Sequence, residues 1–572
     1  MGTVPAIASF GRTDWAVLAV YFLILVGSGI WFSRKKQQNT EDYFLGGRSM
    51  PVWAVAVSIV ATSMSAVSFI GAPGAAYSGD LTYLATNIGM ILAAVVIAFG
   101  FIPVFYRSGS QTIYGVLETR YGPAAKLAAS IAFMLGRVLA SGARIYIGAI
   151  PASMLLFGVE HGLEPTNLLI AISIMTAVGI GYTLIGGIAS VIWSDVLQMG
   201  ILLGACLVAV ILILLRLEAP IGEVFSALQV GVPATTDPET GEVLVEAASK
   251  LTLFDLRLDP SLPYSVLACF IGFTLLGIGS YGTDQDLAQR MLTCKDAKAG
   301  ARSVIAGILL GIPSVALFSV VGLLLWAFYQ RPEMFGAGGP TQAPSDDRQV
   351  FLEFILTQMP PGLTGLMMAG LFAAGLSSLN SAINAMSSTF IADIYRPLRP
   401  GRDEHHYLNM GRLGVLGWGL VLGGFACVCV YWQRQHGEDV DGGDLLLFAL
   451  GVMTFAYAGL IAVFFSALFT KRGSSASVIA ALVTGFVVVL LLQPMFWENF
   501  IDLESLAANA LGNERANPLA WLLALSFTWK LTIGVGLSFA VCQIGNKPKE
   551  PGESQALDAD TAAPNAAPNA AK

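Results

Sequence analysis

The chain has 572 residues, 55% of them hydrophobic and 12% charged, with a formal net charge of −7. Soluble proteins average about 25% charged residues, so this composition excludes an ordinary soluble domain and points to a multi-pass membrane protein. The basic residues cluster in loops between apolar runs, which leaves no basic surface for nucleic acid.

A membrane-crossing helix needs about 20 apolar residues, and by that rule about thirteen stretches qualify. They lie near 14–32, 51–78, 82–106, 124–157, 166–185, 187–216, 263–287, 301–329, 362–393, 409–432, 444–470, 474–496 and 518–544. The first is not a cleavable signal: a signal's basic flank precedes its apolar run, whereas Arg34, Lys35 and Lys36 follow this one. Loops carrying Arg48, Arg107, Arg120, Lys126, Arg290, Lys295, Arg396, Arg412 and Lys471 fall on one side of the membrane, and the alternate loops are acidic or neutral. The positive-inside rule then sets the N-terminus outside and the C-terminus in the cytoplasm.

Residues 1–50 read as one extra helix and a cytoplasmic loop containing DYFLGGRSMP. The second span holds VATSMSAVSFIGAPGAAYS (Val60 to Ser78), with hydroxyls at Thr62, Ser63, Ser65 and Ser68 and an expected break at Gly71-Ala72-Pro73-Gly74. Backbone freed inside a bilayer survives only where protein or a water-filled cavity satisfies it, so a broken, hydroxyl-rich span predicts a buried polar site. Asn87 is the lone polar residue in the body of the next helix.

A long helix then carries Arg137 and Arg144, seven positions apart and so on one face. Charges inside a span are costly and mark a pathway or a paired partner; each arginine either faces a solute, pairs with a carboxylate or reaches the lower interface. GYTLIGGIASVIWSDVLQMG makes a tight turn into a helix bearing Asp195, which either caps or pairs locally or ligates a cation.

After the segment 217–262 comes CFIGFTLLGIGSYGTDQDLAQR, where Gly277, Gly279 and Gly282 predict a second broken helix, with Tyr281 a gate, a stacking residue or simple packing. Paired interruptions in two halves point to an inverted-repeat transporter with a midplane site. The expected division is 51–216 and 263–470 as two five-helix repeats, 471–545 as two C-terminal helices and 546–572 as a disordered cytoplasmic tail. Between 362 and 393, Ser377, Ser378, Asn380, Ser381 and Asn384 crowd one span. They either bond helices together or supply the neutral oxygens that a dehydrated monovalent cation needs. The cysteines (Cys206, Cys269, Cys294, Cys427, Cys429, Cys542) and the histidines (His161, His405, His406, His436) form no metal or catalytic constellation, and nothing else reads as an enzyme.

DYFLGGRSMP, ATSMSAVSFIGAPGAAYS, YTLIGGIASVIWSDVLQ, TDQDLAQR and AAGLSSLNSAINAMSSTFIADIY, in this order and spacing, resemble the sodium/solute symporter family over about residues 14–545. The family includes sodium/glucose, proline and sialic-acid cotransporters. The resemblance implies an all-α LeuT-type inverted repeat and sodium-driven solute uptake by alternating access in a cell membrane, expected here to be the bacterial inner membrane. It also implies a first sodium site from Ala61, Met64, Ala374, Ser377 and Ser378. Asp195, Ser377 and Ser381 match a second sodium site of the sialic-acid type, with Asn380 standing where a serine is usual.

The galactose-type sugar ligands are absent: Ser68, Asn87, Gly277 and Gly311 occupy those positions. Ser63, Ser65, Ser68 and Asn87 instead match the hydroxyls and amide of the sialic-acid type, while Ala140 aligns with its arginine, one turn from both Arg137 and Arg144. An arginine at the site favours a carboxylate. The expectation is therefore an acidic solute bound by Ser63, Ser65, Ser68, Asn87, Arg137 and Tyr281, with a neutral sugar, polyol or amino acid as the alternative. A membrane sensor of the same fold usually appends a signalling domain, and the residues after 545 do not read as one.

Overall fold

A computed structural model of the chain describes residues 10–33, 37–158, 161–231, 235–236, 243–245, 248–340, 350–436, 445–497 and 518–544. The basic run Arg34 to Lys36, the acidic loop 437–444 and the tail 546–572 lie outside the described residues.

The chain opens with α1 (Arg12–Ser33) and the short α2 (Thr40–Leu45). The second span is two helices, α3 (Val52–Ser63) and α4 (Ala66–Ser78). Next come α5 (Thr86–Val96), a π-helical turn and α6 (Ile102–Ser108), then α7 (Gly115–Tyr121) and α8 (Pro123–Phe157). α9 (Pro165–Leu215) bends at Gly187, whose φ of 59° and ψ of −166° suit glycine and make the tight turn expected there. α10 (Ile221–Val230) and a small antiparallel pair, β1 (Thr235–Thr236) with β2 (Val243–Val245), follow.

The second half runs through a π turn, α11 (Phe273–Ile278), a second π turn and α12 (Gln285–Leu292). It continues with α13 (Ala297–Gln330), α14 (Val350–Gln358), α15 (Leu363–Thr389), α16 (Arg396–Leu398), α17 (Glu404–His436), α18 (Leu445–Phe469) and α19 (Ser475–Leu491), and Phe527–Gln543 is the last helix described. Among the described residues nine helices are long and apolar enough to cross a membrane; Ala268–Thr283 and Ser475–Leu491 are shorter apolar helices.

Both interruptions exist, but neither sits where the glycines suggested. α4 runs straight through Pro73, and the extended residues are Met64 (ψ 105°) and Ser65 (ψ 177°). The glycine–proline stretch serves packing instead: a Cβ on Gly71 would press on Leu446, and one on Gly322 of α13 would fall 2.2 Å from the Pro73 carbonyl. In the second half the glycine-rich Gly279–Thr283 stays helical as a π turn, and the extended residue is Asp284 (ψ 121°), whose carboxylate accepts from the Asp286 N–H at 2.9 Å to cap α12. Gly279 and Gly282 make room for Tyr457 and Phe101.

Arg290 also departs from expectation: far from being a loop charge, it is fully buried on α12 and ranks first by volume among the largest fully enclosed side chains. α15 is almost wholly buried, packed on α9, α3 and α8. The hydroxyl-rich face of α15 therefore meets the end of α3 in a dry interior, where polar atoms must find partners.

Candidate functional site

The break between α3 and α4 opens onto a cavity of about 140 Å³. Its wall includes all six expected solute-binding residues: Ser63, Ser65, Ser68, Asn87, Arg137 and Tyr281. Met64, Met90 and Met453, with leucines of α11 and α18, make much of the remaining lining apolar. The Ser63 hydroxyl donates to the Val60 carbonyl at 2.8 Å, and Asn87 Nδ2 to the Leu84 carbonyl at 2.9 Å. Ser65 is the N-cap of α4 but makes no side-chain cap bond. The first-turn N–H groups of α4 thus begin at the cavity wall, carrying the positive end of a helix dipole.

Extended backbone at Met64 and Ser65 turns the following N–H groups off the helical path, so the last carbonyls of α3 lose their usual donors. Against them stands α15: Ser378 Oγ donates to the Thr62 carbonyl at 3.5 Å, and Thr62 Oγ1 lies 3.5 Å from Ser381 Oγ. Ala61, Met64, Ala374, Ser377 and Ser378 are all buried, the first on α3, Met64 at its break and the others on α15. The donor set there is neutral carbonyls and hydroxyls with no basic side chain among them, which suits a hard monovalent cation such as sodium.

The Asp195 neighbourhood differs. Its Oδ1 accepts from Ser377 Oγ at 2.6 Å, and its Oδ2 from Ser58 Oγ at 2.5 Å. Oδ2 also receives Arg290 Nη2 at 3.1 Å. The same guanidinium donates through Nε to Ser58 Oγ at 2.9 Å and through Nη2 to Ser381 Oγ. Asn380 joins none of this: its Oδ1 is buried, without a hydrogen-bond partner among the described residues, toward Gly179 on the first half of α9.

The two arginines of α8 have different surroundings. Arg137 donates through Nη2 to Asp284 and forms an ion pair with Asp286, Nη1 to Oδ2, at 3.2 Å; Tyr457 donates to the same Asp284 oxygen at 2.7 Å. Arg144 donates through Nη2 to the Met453 sulfur at 2.9 Å, and among the described residues no carboxylate lies within ion-pair reach of it. Sequence reasoning picked Arg137 as the solute ligand, gave Asp284 and Asp286 no role and placed Arg290 among the loop charges. The TDQDLAQR motif that carries these three was visible, but a polar run at a helix exit reads as solvent-facing.

The sodium:solute symporter family profile matches residues 43–485. The sodium/sialic acid symporter of Proteus mirabilis is 28% identical over 486 residues, covering 84% of this chain and 89% of that protein. The human sodium/iodide cotransporter is 29% identical over 491 residues, covering 84% of this chain and 70% of that protein. A solved Na+-coupled sialic acid symporter, in a substrate-bound outward-open state, superposes with a TM-score of 0.69 at 23% identity, over 94% of this chain and all of that one, so the fold is shared. With the profile spanning most of the chain, this protein belongs to the sodium:solute symporter family, whose coupling ion is sodium.

Proposed function

We propose that the chain couples inward sodium flux to the uptake of a small organic carboxylate, a sugar acid of the sialic-acid kind or another carboxylate, by alternating access. The observation that carries this reading is Arg144: a cation that, among the described residues, pairs with no carboxylate and lines the same cavity as the first turn of α4. A guanidinium and a helix N-terminus together favour a carboxylate in a dry site. In this reading Arg144, rather than the twice-paired Arg137, meets the solute's charge. Ser63, Ser65, Ser68, Asn87 and Tyr281 bind its polar body.

Sodium would be held by the carbonyls of Ala61, Met64 and Ala374 with the hydroxyls of Ser377 and Ser378. Since α3 and α15 both contribute, the ion favours one arrangement of the two helices and lends free energy to solute binding, and reciprocally. The topology that goes with this is thirteen membrane crossings with two inverted five-helix repeats at 51–216 and 263–470, N-terminus outside, C-terminus cytoplasmic, in a bacterial inner membrane. The relatives that transport sialic acid support the acidic sugar among the carboxylates.

The test is uptake of labelled sialic acid and of short monocarboxylates into proteoliposomes, under an inward sodium gradient and under choline. Sodium-dependent accumulation of a carboxylate is expected. Equal uptake in choline, or uptake of neutral sugars alone, would defeat the reading.

A further inference from the structure

We infer that Arg290 takes the place of a second sodium, so that each transport cycle carries one sodium. The inference rests on the sodium-coupled reading above. The residues matched to a second ion are Asp195, Ser377, Asn380 and Ser381. Of these, Asp195 and Ser381 already hold one guanidinium, Ser377 gives its proton to Asp195 Oδ1 and keeps its oxygen lone pairs for the first sodium, and Asn380 stands apart. The donor set that would strip a sodium ion of water is thus filled by a cation fixed to α12. Arg290 is 0% exposed, and its five N–H groups meet Ser58, Asp195, Ser381, the Asp286 carbonyl at 2.8 Å and the Asp286 carboxylate at 3.1 Å. To admit sodium at Asp195 the guanidinium would have to leave all of these with no exit to water, and stripping a buried charge of its partners is costly.

Charge balance points the same way. Asp195, Arg290, Asp286, Arg137 and Asp284 form one buried ladder of alternating sign, from α9 through α12 to α8. Three carboxylates against two guanidiniums leave one negative charge, which Arg144 at the same cavity offsets. One sodium with one monocarboxylate keeps the interior neutral; a second sodium would leave a net charge buried, at a cost of several kcal/mol. The ladder also gives the filled site a role. Asp286 joins Arg290 to Arg137 at the cavity wall, so the arginine holds the second broken helix against α9 and α15 as a permanent tie where an ion would be a reversible one.

The experiment is equilibrium binding of radiolabelled sodium, as sodium chloride alone against choline chloride, to the purified full chain. Wild type is expected to take up one sodium per chain with a non-cooperative curve. Asp195→Asn, with Arg290 intact, should keep that stoichiometry, and so should Asn380→Ala. Arg290→Gln uncovers Asp195 and should add a second bound sodium; if that variant does not fold, the wild-type and Asn380→Ala counts still decide. Two sodium ions in wild type, falling to one in Asp195→Asn or Asn380→Ala, would overturn the inference while leaving sodium coupling intact. Absence of any sodium binding would overturn the transport reading, and this inference with it.

Discussion

Arg137 Nη1 and Asp286 Oδ2 stand 3.2 Å apart, both side chains buried, where α8 meets the second broken helix. With Asp284 on Nη2, Arg137 is paired with two protein carboxylates. Removing one partner of a buried ion pair leaves an uncompensated charge and costs about 3–5 kcal/mol. Arg137→Ala should therefore lower the yield and thermal stability of the folded transporter for every solute, and adding Asp284→Asn should recover part of the loss. A stable Arg137→Ala protein that has lost carboxylate uptake and kept other function would return the solute-binding role to Arg137.

Arg144 should behave differently. Among the described residues it has no carboxylate within ion-pair reach to strand, so Arg144→Gln should cost the empty protein less thermal stability than Arg137→Ala does. A charge-assisted hydrogen bond is worth about 1.5–3 kcal/mol, so carboxylate affinity should fall about 10- to 100-fold. The readout is ligand-induced thermal stabilisation across a concentration series of the transported acid. Unchanged affinity would remove Arg144 from the site.

Ser378→Ala removes a hydroxyl that faces the Thr62 carbonyl and touches no charged group. Losing one neutral donor of about 1 kcal/mol should raise the sodium concentration for half-maximal uptake about fivefold. Ser377→Ala should cost more, because it also takes away the 2.6 Å hydrogen bond to Asp195. If both variants keep the wild-type sodium curve, the ion is held elsewhere.

Apolar run length was enough to draw most of the helices, because lipid imposes it on the sequence directly. The hydroxyl-rich faces of α3, α4 and α15 were legible for the same reason: a polar side chain in a span is expensive and stands out. The positions of the breaks were not. Glycine and proline mark both a weak helix and a close contact, and here Gly71, Gly279 and Gly282 are contacts. Nor could periodicity separate Arg137 from Arg144, since both share a face of α8. What divides them is Asp284 and Asp286, brought in by a helix more than 130 residues later in the chain. Arg290 was hidden by its setting, a polar motif at a helix exit that the fold draws inside.

The far end of α4 offers one more test. Lys250, 3% exposed, donates through Nζ to the carbonyls of Tyr77 at 2.7 Å, Ser78 at 3.1 Å and Gly79 at 2.7 Å, and its ammonium lies 5.6 Å from the Trp326 ring centre. These are the closing carbonyls of α4, which lack helical donors and carry the negative end of its dipole. The segment after β2 is thereby fastened to the same helix whose first turn lines the cavity. Lys250→Met keeps the chain length but strands those carbonyls, at about 3 kcal/mol. Thermal stability should drop, and α4, held less firmly at one end, should bind the solute more weakly at the other. Lys250→Arg keeps the charge and should restore much of both. Full stability and unaltered solute affinity in Lys250→Met would mean that water replaces the ammonium at no cost, and that α4 is positioned by its packing on the neighbouring helices alone.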